Sequence, residues 1–196
     1  MTQQVRDRVD TPVLTIGVCP ELHGERREKA WNLYQNAFAD LDGLAIQRHL
    51  MTRDEFDHVA GDTRIDKYCA VNSDGDLVGL ATYTNQLEAW PLISTAYFAR
   101  RWPAEYAARH VWYCGFVAVD QQTGAGAYLK LVEALYRHAE KHQGVISLDV
   151  CRRNDVVHHI SRSIGVLLHR LSDGRVRAEC ADTQSFWVYE TGATTA

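Results

Sequence analysis

The run from Val111 to Val119 constrains this chain more than any other segment: it is the most apolar stretch, carries no charged side chain, and ends at Asp120. A strand this apolar has to be covered on both faces, which predicts a central strand beneath helices. A glycine-containing turn follows, and then a helix from about Gly124 to His142. Its apolar stripe is Ala125, Leu129, Val132, Leu135, Tyr136 and Ala139, and Gly144 suits its C-terminus. A buried strand that turns through small residues straight into a helix start is the frame for the rest.

Around that frame the pattern predicts the remaining elements. Val13 to Val18 is a β-branched run and reads as a first strand. Gly24 to Ala39 places Ala30, Leu33, Tyr34, Ala37 and Phe38 on one helical face. A shorter helix starts after Thr52, where Thr52 and Glu55 match a capping box and Phe56 and Val59 form the buried side. Lys67 to Val71 and Leu77 to Thr84 flank an Asp74-Gly75 turn and read as a β-hairpin. Val145 to Val150 is the next strand, and Asn154 to Ile164 a further helix ended by Gly165. Val166 to His169 and Phe186 to Glu190 look like two late strands, with an Asp173-Gly174 turn between them. The order implies an α/β (α+β) class, with a mixed, mostly antiparallel sheet of six to seven strands and helices on both faces. The 196 residues are expected to form one domain, 1–196, with 1–10 flexible. Segment 85–109 is a variable insertion rich in aromatics (Trp90, Tyr97, Phe98, Trp102, Tyr106). These either form a lid or an acceptor pocket, or simply pack on the domain.

Composition removes several classes. A net charge of −4 argues against a nucleic-acid binder, and the arginines at 100–101, 152–153 and 175–177 read as solvated surface. No apolar run approaches the roughly 20 residues of a membrane helix. Five cysteines, odd in number and widely spaced, fit reduced thiols in a cytoplasmic protein. No Cys/His group has metal-site spacing, and His158 and His159, being adjacent, would point about 100° apart on a helix.

The chemistry-bearing segment is Val117-Ala118-Val119-Asp120-Gln121-Gln122-Thr123-Gly124-Ala125-Gly126-Ala127. The first amides of a helix have no internal partner and carry partial positive charge. Glycines let a phosphate approach them, which makes an anion cradle of backbone with no basic residue required. The same spacing can also be nothing more than a tight strand-to-helix turn. There is no Gly-Lys-Ser/Thr of a P-loop, and Leu129 stands where a dinucleotide fingerprint needs its third glycine. A nucleotide-binding α/β protein of another kind stays open on these residues alone.

The segment resembles the GNAT acyltransferases. Their Gln/Arg-x-x-Gly-x-Gly/Ala motif is met by Gln121-Gln122-Thr123-Gly124-Ala125-Gly126, and Val117-Ala118-Val119-Asp120 looks like the strand end before it. A second motif, Asn-x-x-Ala with Tyr and then Gly-Phe at fixed spacing, is matched by Asn154, Val157, Ser161, Gly165 and Val166. The resemblance covers about Lys67 to Val166. It implies a GNAT fold and transfer of an acyl group from acetyl-CoA or another acyl-CoA to an amine, on a small molecule or a protein, without a metal. Val117 and Val119 would pair with the pantetheine arm, with one amide polarising the thioester carbonyl. The amides from Gln122 to Ala127 would hold the pyrophosphate, and Asn154 would bond the pantetheine or the strand splay. A homodimer is in keeping with the family.

Two departures stand out. The turn at Asp120-Gln121 is some three residues shorter than the family's, and Ser161 occupies the place of a tyrosine general acid. A serine is too weak an acid at neutral pH for that part, so His158 or His159, or solvent, would have to take it over. For the base, the candidates are Asp149 on the fifth strand, His110 and Tyr113 near the start of the fourth, and Glu88 in the insertion. Each has a plain structural alternative: buried acceptor, capping or surface residue, core, or solvated charge. Two other readings follow from these departures and from related folds. One is a catalytically degenerate module that binds acyl-CoA as a sensor or partner subunit. The other is an N-acyl amino acid synthase-like enzyme with an acyl-carrier-protein donor.

Overall fold

A computed structural model describes residues 13–41, 43–44, 50–91, 93–122 and 124–191. The hairpin forms as its turn chemistry requires. β2 (Asp66–Val71) and β3 (Leu77–Thr84) pair antiparallel around Gly75, which sits at φ +88°, a conformation open to glycine. The Asn72 side-chain oxygen accepts the amides of Asp74 and Asp76 at 3.0 and 2.8 Å and closes the loop. β1 (Thr15–Cys19) adds antiparallel to β2, and β4 (Val111–Val119) antiparallel to β3. β5 (Val145–Leu148) runs parallel to β4, so the described sheet has five strands in the order β1-β2-β3-β4-β5.

Helices cover both faces. α5 (Gly124–Lys141) lies on one, where Ala127, Leu131, Leu135 and Ala139 meet Tyr68, Ala70, Ala81, Tyr83, Trp112 and Cys114. Contact is close: a Cβ at Gly79 would lie 2.9 Å from Leu131 Cδ1. The opposite face takes α1 (Gly24–Phe38) and α2 (Arg53–Gly61), whose Ala30, Leu33, Tyr34, Phe56 and Ala60 pack on Cys69, Leu80 and Ala118. The Thr52–Glu55 capping box starts α2 as expected. Segment 85–109 folds as a 3₁₀ turn (Leu87–Ala89), α3 (Thr95–Arg101) and α4 (Pro103–Ala107). Its Trp90 and Phe98 are buried against Ile65, Val111 and Tyr113, with Trp102 and Tyr106 packed alongside. Tyr97 is exposed.

Four expectations need correction. The last described strand is β5, and it stops at Leu148, not Val150. Val166 to His169 belongs to a helix: α6 (Arg152–His158) and α7 (Ile160–Leu171) meet at His159, which adopts a left-handed conformation (φ 52°), and α7 runs through Gly165. The run Ile160, Ile164, Leu168, Leu171 keeps a helical apolar stripe going past that glycine. Phe186 to Glu190 forms no strand and is exposed, so five described strands stand against the six to seven expected. Finally, the left-handed residue after α5 is Gln143 (φ 52°), not Gly144. Gly144 is needed for space instead, since a Cβ there would sit 2.3 Å from the Trp112 ring and 2.4 Å from the His110 carbonyl oxygen.

Partway along, β4 changes character. Ala81 faces Val117 and Tyr83 faces Cys114, so Gly115 and Phe116 together oppose Thr82 alone, and the Phe116 amide donates to the Thr82 hydroxyl at 3.2 Å. This is a β-bulge. It leaves Gly115 and Phe116 on the same face, the one opposite α5. Trp90 lies flat on Gly115, where a Cβ would come within 2.2 Å of the indole.

Two predictions follow from this packing. Gly115→Ala should lower the urea midpoint by an amount equivalent to about 1–3 kcal/mol, because the indole has no room to retreat in a filled core. Gly17→Ala, whose Cβ meets nothing within 4 Å, should not lower it. The second concerns His138, whose Nδ1 lies 2.8 Å from the Tyr68 hydroxyl and whose ring packs on Trp112, Tyr83 and His142. Burial first, then the like charge of His142, holds its imidazole below the usual value against the opposing pull of Asp66. The folded state thus takes up this proton at lower pH than the unfolded chain. Stability present above about pH 6.5 is lost as pH falls through the lower, folded value. Melting temperatures measured from pH 7.5 to 5 should fall, and fall less steeply in His138→Gln.

Candidate functional site

β4 and β5 pair only from Val111 with Val145 to Cys114 with Leu148. Beyond that point β5 has ended, and β4 continues for five residues, Gly115 to Val119, with β3 on one side and no described strand on the other. The strands part at the bulge. On the β3 side, the Asp120 amide donates to the Val78 carbonyl at 2.9 Å, and Ala118 faces Leu80. Alternation along the strand then turns the backbone groups of Val117 and Val119 to the open edge. Two of the three expected strand residues therefore present their polar groups outward, and Ala118 ties the strand to β3.

At the far end of that edge stands the N-terminus of α5. Gln121 and Gln122 are exposed in the turn, and Thr123 lies outside the described residues. The Gln122 amide is not available to a ligand, because Asp120 Oδ1 already accepts it at 2.8 Å. The cradle accordingly shortens to the first-turn amides of Gly124, Ala125, Gly126 and Ala127, which helix geometry leaves without intrahelical partners. Gly126 is exposed, and a Cβ there would meet only Leu14, at 3.6 Å. Ala127 is fully buried and anchors the turn on β3 through Gly79. Asn154 lies in the first turn of α6, which follows β5.

The four acid–base candidates separate. Tyr113 and Asp149 come together: the buried Tyr113 hydroxyl donates a short hydrogen bond to Asp149 Oδ1, just past the end of β5 where the strands diverge. Burial, then the Asp149 charge and that hydrogen bond, raise the Tyr113 phenol far above the ordinary tyrosine range, so it stays a donor. Asp149 itself is exposed. His110 is elsewhere. It precedes β4, stacks on Trp112 at 5.9 Å and touches His142, about 13 Å along the strand from Cys114. Ser161 is occupied: its hydroxyl donates to Asp155 Oδ1 at 2.5 Å and its amide to the same oxygen at 3.1 Å, which caps the start of α7. Asp155 is drawn below the usual carboxylate range by those two bonds. Glu88 pairs with Arg109 at 3.6 Å, and His158 and His159 are exposed at the α6–α7 junction. Among the described residues, no three of His, Cys, Asp and Glu gather as a metal site, and no helix is long and apolar enough to cross a membrane.

One residue near the divergence escaped the sequence reading. Tyr128, one turn into α5, has a hydroxyl that is buried and has no hydrogen-bond partner among the described residues. An unpaired buried hydroxyl is visible only in three dimensions.

No protein-family model matches the chain, and no curated protein matches it in sequence. Solved structures do match its fold. A ribosomal-protein-alanine N-acetyltransferase from Brucella melitensis is 17% identical, with 90% of this chain and 99% of that one covered at a TM-score of 0.51. A GNAT-family acetyltransferase from Listeria monocytogenes is 11% identical over 76% and 85%, also at 0.51. An aminoglycoside N-acetyltransferase in complex with CoA is 12% identical over 95% and 99%, at 0.50.

Proposed function

We propose, on the premise that the chain has the GNAT acetyltransferase fold, that it moves an acyl group from acyl-CoA to the amine of a small molecule. The observation that carries this reading is the unpaired edge of β4 from Gly115 to Val119, with the α5 N-terminus at its end. An extended arm can add to that edge as a strand would, while its diphosphate meets the helix amides. The neighbour crystallised with CoA has the same fold, and CoA meets both demands.

In this reading the Val117 and Val119 backbone aligns the pantetheine. One of their amides donates to the thioester oxygen as charge develops there. The amides of Gly124 to Ala127 hold the diphosphate, and Asn154 closes the cleft from the β5 side. The neutral amine attacks the thioester carbon, the carbon–sulfur bond breaks, and the thiolate leaves. Asp149 takes the proton that the amine loses, with the Tyr113 hydroxyl fixing one of its oxygens. His110 and Ser161 are left out of the chemistry, because their contacts place the one at the far end of β4 and the other on Asp155.

That engagement of Ser161 favours one alternative, a module that binds acyl-CoA without turning it over. Thiol release measured with acetyl-CoA and a panel of amines separates the two. Release supports the enzyme, whereas CoA binding with no release on any amine supports the module. Absence of both binding and release overturns the site. CoA at 100 times its dissociation constant should stabilise the fold by about 2.7 kcal/mol. Gly126→Glu sharpens the test. A carboxylate in the first turn of a helix suits the dipole and has room here, so the melting temperature without CoA should hold or rise. CoA affinity should fall at least about tenfold, because the carboxylate repels the diphosphate.

A further inference from the structure

Acyl transfer leaves one demand unmet: something has to stabilise the thiolate as the carbon–sulfur bond breaks, and the Ser161 hydroxyl is committed to Asp155. Among the described residues, three buried side-chain polar atoms have no hydrogen-bond partner: Asp57 Oδ1, the Tyr83 hydroxyl and the Tyr128 hydroxyl. Such groups are costly and call for a reason. Asp57 lies on α2 in an ion-pair network with Arg53 and Arg27, on the other side of the sheet from α5. Tyr83 is 1% exposed and walled in by Tyr68, Trp112 and His138. Only Tyr128 lies on α5, one turn from the helix N-terminus that stands at the end of the open β4 edge.

Its place follows from the helix. Steps of 100° put Tyr128 on the same flank of α5 as Val132, Leu135 and Ala139, turned away from β1 and the flank of Gly126, which faces Leu14. The Tyr128 phenol and the Cys114 thiol are close enough to feel each other's charge. Cys114 is the last β4 residue paired with β5. Tyr128 therefore sits one helical turn from the amides assigned to the diphosphate, on the flank of α5 turned away from β1. Its oxygen is covered while the residue as a whole is half-buried, so reaching a ligand on the β4 edge requires a rotation about the side-chain torsions.

We infer that the Tyr128 hydroxyl is the hydrogen-bond donor to the leaving sulfur, a catalytic role that rests on the acyl-transfer reading above. It donates a hydrogen bond and keeps its proton. As the carbon–sulfur bond breaks, the electron pair goes to sulfur and the hydroxyl stabilises that charge. The thiolate is protonated afterwards by solvent, which balances the proton lost by the amine to Asp149. Burial raises the Tyr128 phenol to about 12, so it remains protonated, and a donor, across the neutral range.

Tyr128→Phe tests this directly, because it removes one oxygen and keeps the shape. Loss of an unpaired buried hydroxyl should leave the melting temperature unchanged or raise it. With acetyl-CoA, kcat should fall about 10- to 100-fold, the usual weight of a hydrogen bond to a charged group, while KM stays within about twofold. With acetyl-seleno-CoA, whose selenol is a far more acidic leaving group, the defect should shrink severalfold. A Tyr128→Phe enzyme with wild-type kcat overturns the assignment, as does an equal defect with both donors. A wild-type protein that releases no thiol sinks the acyl-transfer reading and this assignment with it. Wild-type turnover matched by the variant sinks the assignment alone.

Discussion

The indole of Trp90 lies against the backbone of Gly115, and at that residue β4 takes on one residue more than β3 can match. The first of these needs a glycine, since any side chain at 115 would occupy the space of the ring. The extra residue flips the alternation: Cys114 and Val117 share the α5 face, while Gly115 and Phe116 share the other. It also bends the strand. Past the bend β4 no longer tracks β5, which has ended by Leu148, and an edge with its backbone groups unpaired is left inside an otherwise covered sheet. Sheets normally protect such edges. Here the N-terminus of α5 stands at its end.

The parts of this arrangement differ in how clearly the sequence announces them. The hairpin, the capping box at Thr52, the apolar strand and the long helix after it are legible because each depends on neighbours within a few residues. The bulge is not: nothing in Cys114-Gly115-Phe116 says that two residues will oppose Thr82, since that is decided by the register of β3. The C-terminal third misleads for a related reason. Val166 to His169 has the apolar density of a strand, and Gly165 has the look of a stop. Yet Ile160, Ile164, Leu168 and Leu171 recur at helical spacing across the glycine, and packing against α5 outweighs its cost of about 1 kcal/mol. Phe186 to Tyr189 has every local mark of a strand but lies exposed, because a strand is defined by a partner that no local pattern can supply.

The candidate site divides the same way. Its backbone half was readable from Val117 to Ala127, because glycines and a helix start are sequence features. Even there the Gln122 amide was assigned to a ligand, while Asp120, two residues earlier, accepts it in an Asx turn. Of its side-chain half, Tyr113 and Asp149 were named from the sequence but not as a pair. Tyr113 and Asp149 are 36 residues apart and meet only because β4 and β5 run parallel and in register. His110, three residues before Tyr113, lies just before β4 begins and stacks on Trp112.

The two phenols nearest the divergence also bear on how protons move in the acyl-transfer reading. Tyr113 lies on the sheet face opposite α5 and Tyr128 on α5 itself, and burial raises both above the ordinary tyrosine range. Neither can act as a base near neutrality, so each is confined to donating: Tyr113 to Asp149, and Tyr128 to the group that arrives in the cleft. A proton given up by an attacking amine must then go to a carboxylate or to water. Asp149 is exposed and held by Tyr113 through one oxygen, which leaves the other free to face an acceptor. In the acyl-transfer reading, these two donors would favour negative charge within the cleft, and Asp149 would remove the proton at its mouth. Thioester aminolysis develops charge in that sense, with the sulfur buried and the amine entering from solvent.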